Sequence, residues 1–309
     1  MIQVRRIGHI TLESPDIDRQ TDYFLSIVGL VEAAREKDRV YLASKVGPLT
    51  VQIERGDVAR CARLSFEVPP DTDFAAAEKF LAGEGIKAER RNDPNPGVRT
   101  MLSFNDPNGV AIDLFPEWTP LGLDQEARGI GVLKLGHVAQ VVDDPRKFME
   151  FYCRILGFRV SDWIEDWFVF LRCGPDHHTV NFVVGKQAKM HHMAFELKDW
   201  SHMQQACELL GKKRMPIIWG PGRHTAGHNL FTYHRNPDDQ IVELFGELDV
   251  MKDESLGYFE PKPWHRDHPQ RPKVWSGKEG GVIWGPPPTP DYIRQRMAED
   301  TRFTSDKAH

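Results

Sequence analysis

The chain repeats itself, and the repeat restricts its fold more than any other feature. Ile7-Gly8-His9-Ile10 returns as Leu135-Gly136-His137-Val138, 128 positions later. Asp22–Leu30 returns as Glu150–Phe158, with glycines at 29 and 157. Arg63-Leu64-Ser65-Phe66-Glu67 parallels His192-Met193-Ala194-Phe195-Glu196, and Asn105–Phe115 parallels Arg235–Phe245. Four segments in one order, with an offset that drifts only from 128 to 130, make a duplication. The expected division is a first half over 1–118, a polar linker over 119–130, a second half over 131–250 and a tail over 251–309.

Each half divides again. Gly136–Asp143 and His191–Asp199 alternate apolar and polar residues as half-buried strands do. Each leads into a helix-like stretch. Pro145–Leu156 carries Phe148, Phe151, Tyr152 and Ile155 on one face, starts at Asp144-Pro145 and stops at Gly157. Trp200–Leu210 is expected to close at Gly211. Strands follow at Trp167–Cys173 and Thr179–Val184, then at Leu230–His234 and Gln240–Phe245, the last two joined by the turn Asn236-Pro237-Asp238-Asp239. The unit is one strand, one helix, then two or three strands. Four such units predict an α+β chain with a strongly curved mixed sheet in each half. The tail holds eight of the 22 prolines and three of the eight tryptophans, so it is expected to pack on the second half with few regular elements. Pro290–Ala298 is expected to be a short helix.

Composition excludes several classes. Net charge is −5, without the basic footprint of a nucleic-acid binder. No apolar run is long enough to span a bilayer, and the N-terminus lacks an apolar leader. The four cysteines form no CxxC pair and read as reduced thiols of a cytoplasmic protein.

Histidine is the anomaly. Nine of the 13 lie between His137 and His234. If paired units set their first strands side by side, His137 and His192 share a concave face with Glu243 from the terminal strand. Two imidazoles and a carboxylate with open positions suit non-haem Fe(II). A strand histidine is more often a packed core residue, and the repeat offers an internal comparison. The corresponding trio in the first half is His9, Arg63 and Asp113. Arginine stays protonated and cannot ligate a cation, so the first half is expected to be metal-free. His9 nevertheless persists there, which shows that packing alone can keep a histidine at this position. Of the remaining histidines, His234 is expected to be exposed, and so are His177 and His228.

The segment His224–Glu243 carries the most specific pattern: a histidine, a tyrosine nine residues on, an Asn236-Pro237 turn, and a glutamate ten past the tyrosine. With Gly136-His137, His191-His192 and His177-His178 before a strand, the second half resembles the catalytic domain of the type I extradiol ring-cleaving dioxygenases, in the vicinal oxygen chelate superfamily. Asp239 stands where that family often has glycine. The resemblance covers about residues 1–260 and implies tandem βαβββ modules. It implies metal ligation by His137, His192 and Glu243, with His192 preferred over His191. It gives His178, preferred over His177, an acid–base role, and His224 and Tyr233 hydrogen bonds to substrate oxygens. It implies Fe(II), with Mn(II) as the substitute, a catecholic substrate with O2, and a homo-oligomer. The same fold also serves isomerases and lyases with other metals, and metal-free binding proteins. Trp163, Trp167 and Trp219 are either an aromatic entrance or core.

Overall fold

The computed structural model describes residues 1–44, 47–121, 128–185, 187–263, 265, 270–279 and 281–293. The first half supplies β1 (Arg6–Ser14), α1 (Ile17–Tyr23, extended by a wider turn over Phe24–Val28), β2 (Val31–Glu36), β3 (Arg39–Ala43) and β4 (Leu49–Arg55). It continues with β5 (Arg60–Glu67), α2 (Phe74–Gly83), β6 (Glu89–Asn95), β7 (Val98–Asn105) and β8 (Ala111–Phe115). The second half repeats this order: β9 (Leu135–Val142), α3 (Pro145–Leu156), β10 (Arg159–Ile164), β11 (Phe168–Arg172), β12 (Val180–Val184), β13 (Lys189–Glu196), α4 (Trp200–Lys212), β14 (Trp219–His224), β15 (Leu230–Arg235) and β16 (Ile241–Gly246). Four βαβββ units result.

Each half builds one mixed sheet, ordered β2-β3-β4-β1-β5-β8-β7-β6 and β10-β11-β12-β9-β13-β16-β15-β14. The centre of each is the antiparallel pair of first strands, β1 with β5 and β9 with β13. A parallel partner flanks each central strand, so two units meet across a pseudo-twofold. The two sheets share one apolar cluster. Phe66 packs edge-on to Phe158, and Phe24 to Phe195. Tyr23 Oη lies 2.7 Å from His234 Nε2, a buried hydrogen bond between the halves.

Local signals explain most element ends. Asp144 accepts from the Arg146 N–H, Pro145 occupies the first turn of α3, and Gly157 ends it in the left-handed region at φ 70°. Helix α4 does not stop at Gly211. It runs to Lys212, because buried Met203, Ala206 and Leu210 fix its last turns on the core and packing outweighs the glycine. The glycine- and proline-containing stretch Trp219–His224 is strand β14, recruited by pairing with β15 and with the tail.

The tail is more regular than its prolines suggest. β17 (Met251–Asp253) and β18 (Tyr258–Phe259) form a small hairpin sheet. β19 (Lys273–Trp275) adds to β10, and β20 (Val282–Trp284) adds to β14. The tail therefore covers both edges of the second sheet. Of the helix expected over 290–298, Pro290–Ile293 is helical and the rest lies outside the described residues, as do Trp264 and residues 122–127 of the linker. No described helix is long and apolar enough to cross a membrane.

Candidate metal centre

Strand register assembles the site. Ala194 on β13 pairs with His137 on β9 and with Glu243 on β16, so the three form a row across adjacent strands. His192, two residues before Ala194, faces the same side. Ala194 is small and fully buried, and His137 and Glu243 reach each other over it. His137 Nε2 lies 3.1 Å from Glu243 Oε2, His192 Nε2 3.2 Å from the same oxygen, and the two nitrogens are 3.3 Å apart. All three side chains are buried.

The glycine before each histidine has a packing reason. A Cβ on Gly136 would lie 2.2 Å from the Phe245 ring, and one on Gly8 would lie 2.4 Å from Phe115. The phenylalanine presses on the glycine backbone and its ring flanks the next histidine, His137 or His9. The Gly-His pair is thus common to both halves and reflects packing. What differs is the position two residues before the central small residue.

That position is Arg63 in the first half. His9, Ser65 and Asp113 reproduce the row of His137, Ala194 and Glu243. Arg63 Nε and Nη2 contact Asp113 Oδ2 and Oδ1 at 2.7 and 2.5 Å, and His9 Nε2 bonds the Asn95 amide at 3.0 Å. A guanidinium supplies the positive charge there. Among the described residues of the second row, no cation partners Glu243. Two imidazole nitrogens and a carboxylate oxygen face one another within 3.3 Å, a spacing that fits a cation with bonds of about 2.0–2.2 Å to each. Burial opposes ionisation of Glu243, but His137 and His192 more than offset it and hold its pKa well below the usual range. Burial also lowers the pKa of His137, favouring the neutral imidazole a ligand requires.

Supporting contacts orient these donors. His191 Nδ1 and His192 Nδ1 are 2.8 Å apart, which leaves His192 Nε2 facing Glu243. Asn229 Nδ2 donates to the other Glu243 oxygen, Oε1, at 3.0 Å. Asn229 carries no sequence signal, because it precedes β15 outside any spaced motif.

His178, His224 and Tyr233 line the same cavity, of about 360 Å³. The His178 ring is 4.3 Å from that of His137, and burial pushes its pKa well below the ordinary value. His224 Nδ1 lies 3.1 Å from the Gly281 carbonyl, which can only accept, so Nδ1 carries the proton. Nε2 is then an acceptor, and the Tyr233 hydroxyl donates to it at 2.9 Å. Burial lowers the His224 pKa to about 4 and raises that of Tyr233, consistent with a neutral pair. Trp167 and Trp219 also line the cavity, whereas Trp163 packs under Arg146 outside it.

Three histidines expected at the surface are buried instead: His177, His228 and His234. Each is retained by a polar partner. His177 lies behind His178, Nδ1 to Nδ1 at 2.9 Å, with its Nε2 3.1 Å from Asp162 but not aligned for a hydrogen bond. His228 and the tail residue His265 both meet Asp249, at 2.7 and 3.0 Å. This second buried His–Asp–His cluster is no match for the first. The Lys262 N–H donates to His265 Nδ1, so Nε2 holds the proton given to Asp249 and offers no lone pair to a metal.

Known proteins resemble this chain in sequence and in fold. Residues 134–244 match the Glyoxalase/Bleomycin resistance protein/Dioxygenase superfamily. The chain is 29% identical over 270 residues to metapyrocatechase 2 of Cupriavidus necator, covering 80% of this chain and 82% of the relative. It is 23% identical over 302 residues to the manganese-dependent 2,3-dihydroxybiphenyl 1,2-dioxygenase of Geobacillus genomosp. 3, covering 90% and 95%. The Mn(II)-bound glyoxalase of Novosphingobium aromaticivorans shares the fold, with a TM-score of 0.81, 22% identity and 94% of each chain covered.

Proposed function

We propose that this chain, whose second half belongs to the glyoxalase/bleomycin resistance protein/dioxygenase superfamily, is an extradiol dioxygenase that cleaves a catechol beside its two hydroxyls with O2. The observation that carries the reading is the convergence of His137, His192 and Glu243 beneath a cavity that also presents His178, His224 and Tyr233. The names of its relatives support the same reading.

His137, His192 and Glu243 would hold a divalent ion of the Fe(II) or Mn(II) kind, since both accept this donor set. Such an ion would supply a Lewis-acid centre for the catechol and O2. The side chains do the rest. Glu243, ionised and fixed by Asn229, leaves the site with one net positive charge when a divalent ion is bound, which favours loss of a catechol proton. The Tyr233 hydroxyl and His224 Nε2, which satisfy each other in the free site, would exchange that bond for bonds to the substrate oxygens, the tyrosine as donor and the histidine as acceptor. In the tautomer that donates its Nδ1–H to His177 Nδ1, the neutral His178 keeps Nε2 unprotonated and would take a proton from the substrate and return it as ring cleavage proceeds.

An isomerase or lyase on the same fold would use the metal ligands but gives His178, His224 and Tyr233 no joint task. The deciding experiment loads the protein with Fe(II) or Mn(II) without oxygen, adds a panel of catechols in air, and follows O2 uptake and a yellow ring-fission product. Metal-replete protein that consumes no O2 with any of them would remove the reading.

A further inference from the structure

Two apolar clusters line the cavity beside its polar groups, one with Trp167, Phe168 and Phe170, the other with Trp219 and Tyr292. Trp219 stacks parallel to Tyr233, with centroids 5.4 Å apart and planes 14° from parallel. Its Nε1 donates to the Pro286 carbonyl of the tail at 3.2 Å, so its polar atom is engaged by the tail backbone. Among the described residues no lysine or arginine lines the cavity, and Glu243 is the one carboxylate.

Building on the dioxygenase reading, we infer that the site selects catechols whose ring substituent is uncharged and apolar, and that Trp219 is a specificity-determining residue for that choice. A carboxylate on the substituent would leave water for walls that hold no cation, and that desolvation goes uncompensated. An alkyl or aryl group in the same place gains burial against aromatic faces.

The test uses two matched pairs, so that the position of the substituent on the ring does not matter. One pair is 4-ethylcatechol and 3,4-dihydroxyphenylacetate; the other is 3-propylcatechol and 3-(2,3-dihydroxyphenyl)propionate. Kd is measured by calorimetry on the metal-loaded full chain without oxygen, and kcat/KM by O2 uptake in air. The alkyl member of each pair is expected to bind on the order of 100-fold tighter, the size that an unpaired buried charge produces. Equal or tighter binding of the carboxylate member in either pair overturns the inference. In Trp219→Arg the ratio should move toward the carboxylate by about tenfold or more through the new ion pair, whereas Trp219→Phe should keep the alkyl preference. A ratio unchanged by Trp219→Arg overturns the role of Trp219. Alkyl-selective binding without O2 uptake from any catechol would uphold the selectivity and remove the dioxygenase reading instead.

Discussion

Arg63 grips Asp113 through two parallel contacts, Nε to Oδ2 at 2.7 Å and Nη2 to Oδ1 at 2.5 Å, at the place where the second half sets His192 beside Glu243. One duplicated framework thus surrounds a buried carboxylate in two ways, with a guanidinium in one half and two imidazoles in the other. Asp113 is almost fully buried, so removing its partner strands a charge. Arg63→Met should cost about 3 kcal/mol of stability, read as a lower urea midpoint. Arg63→Met combined with Asp113→Leu should recover much of it, because no charge is then left buried. A single variant as stable as the parent would show that the pair does not compensate Asp113.

Metal retention should depend on Glu243 and on the residue that holds it. Asn229→Ala removes the bond to Glu243 Oε1 and should weaken metal affinity about 10–100-fold while the far-ultraviolet circular dichroism stays unchanged. Glu243→Gln should weaken it further. Competition against a chelator, with metal content by mass spectrometry, measures both. An Asn229→Ala protein that binds metal as the parent does would remove the orienting role.

The small residue between His137 and Glu243 should matter in its own right. Ala194→Val puts two more methyl groups into the gap over which these side chains meet. Overpacking of this kind costs about 1–3 kcal/mol and should push the two donors apart. The expected result is a folded protein with less than one metal per chain. Full metal occupancy would show that the row tolerates bulk.

His178→Ala should keep its metal and lose roughly 10²–10⁴-fold in kcat, the usual worth of an acid–base residue. Stopped-flow turnover on metal-normalised protein is the measurement. Near-normal turnover would move the proton transfer to another group.

Stability should fall on mild acidification. His234, fully buried between the halves, has its pKa lowered by burial to about 3, and burial lowers that of His9 to about 4. A histidine depressed in the fold takes up its proton first in the unfolded chain, so stability is fully present above about pH 6.5 and declines as pH drops toward 4 and 3. Thermal melts between pH 7 and 5 should show the decline, and His234→Gln should flatten it. A decline of the same slope in that variant would assign it to other groups.

Much of this protein is legible without coordinates, because its signals are local or repeated. The duplication, the strand–helix–strand units and the ends of α3 follow from spacing, capping and glycine, which act within a few residues. The repeat also contrasts Arg63 with His192, and so points to the half that can bind a metal. Other features depend on residues far apart in sequence. That the Gly-His pair serves packing in both halves emerges only when Phe115 and Phe245 are seen against the glycines. Strand β14 exists because β15 and the tail pair with it, and the tail is ordered because it covers both sheet edges. His177, His228 and His234 are polar in sequence yet buried in the fold, each beside a polar partner from another strand, loop or neighbouring side chain. Local chemistry thus determined which side chains could act. Strand register, which brings together residues about 50 to 110 positions apart, decided which of them meet.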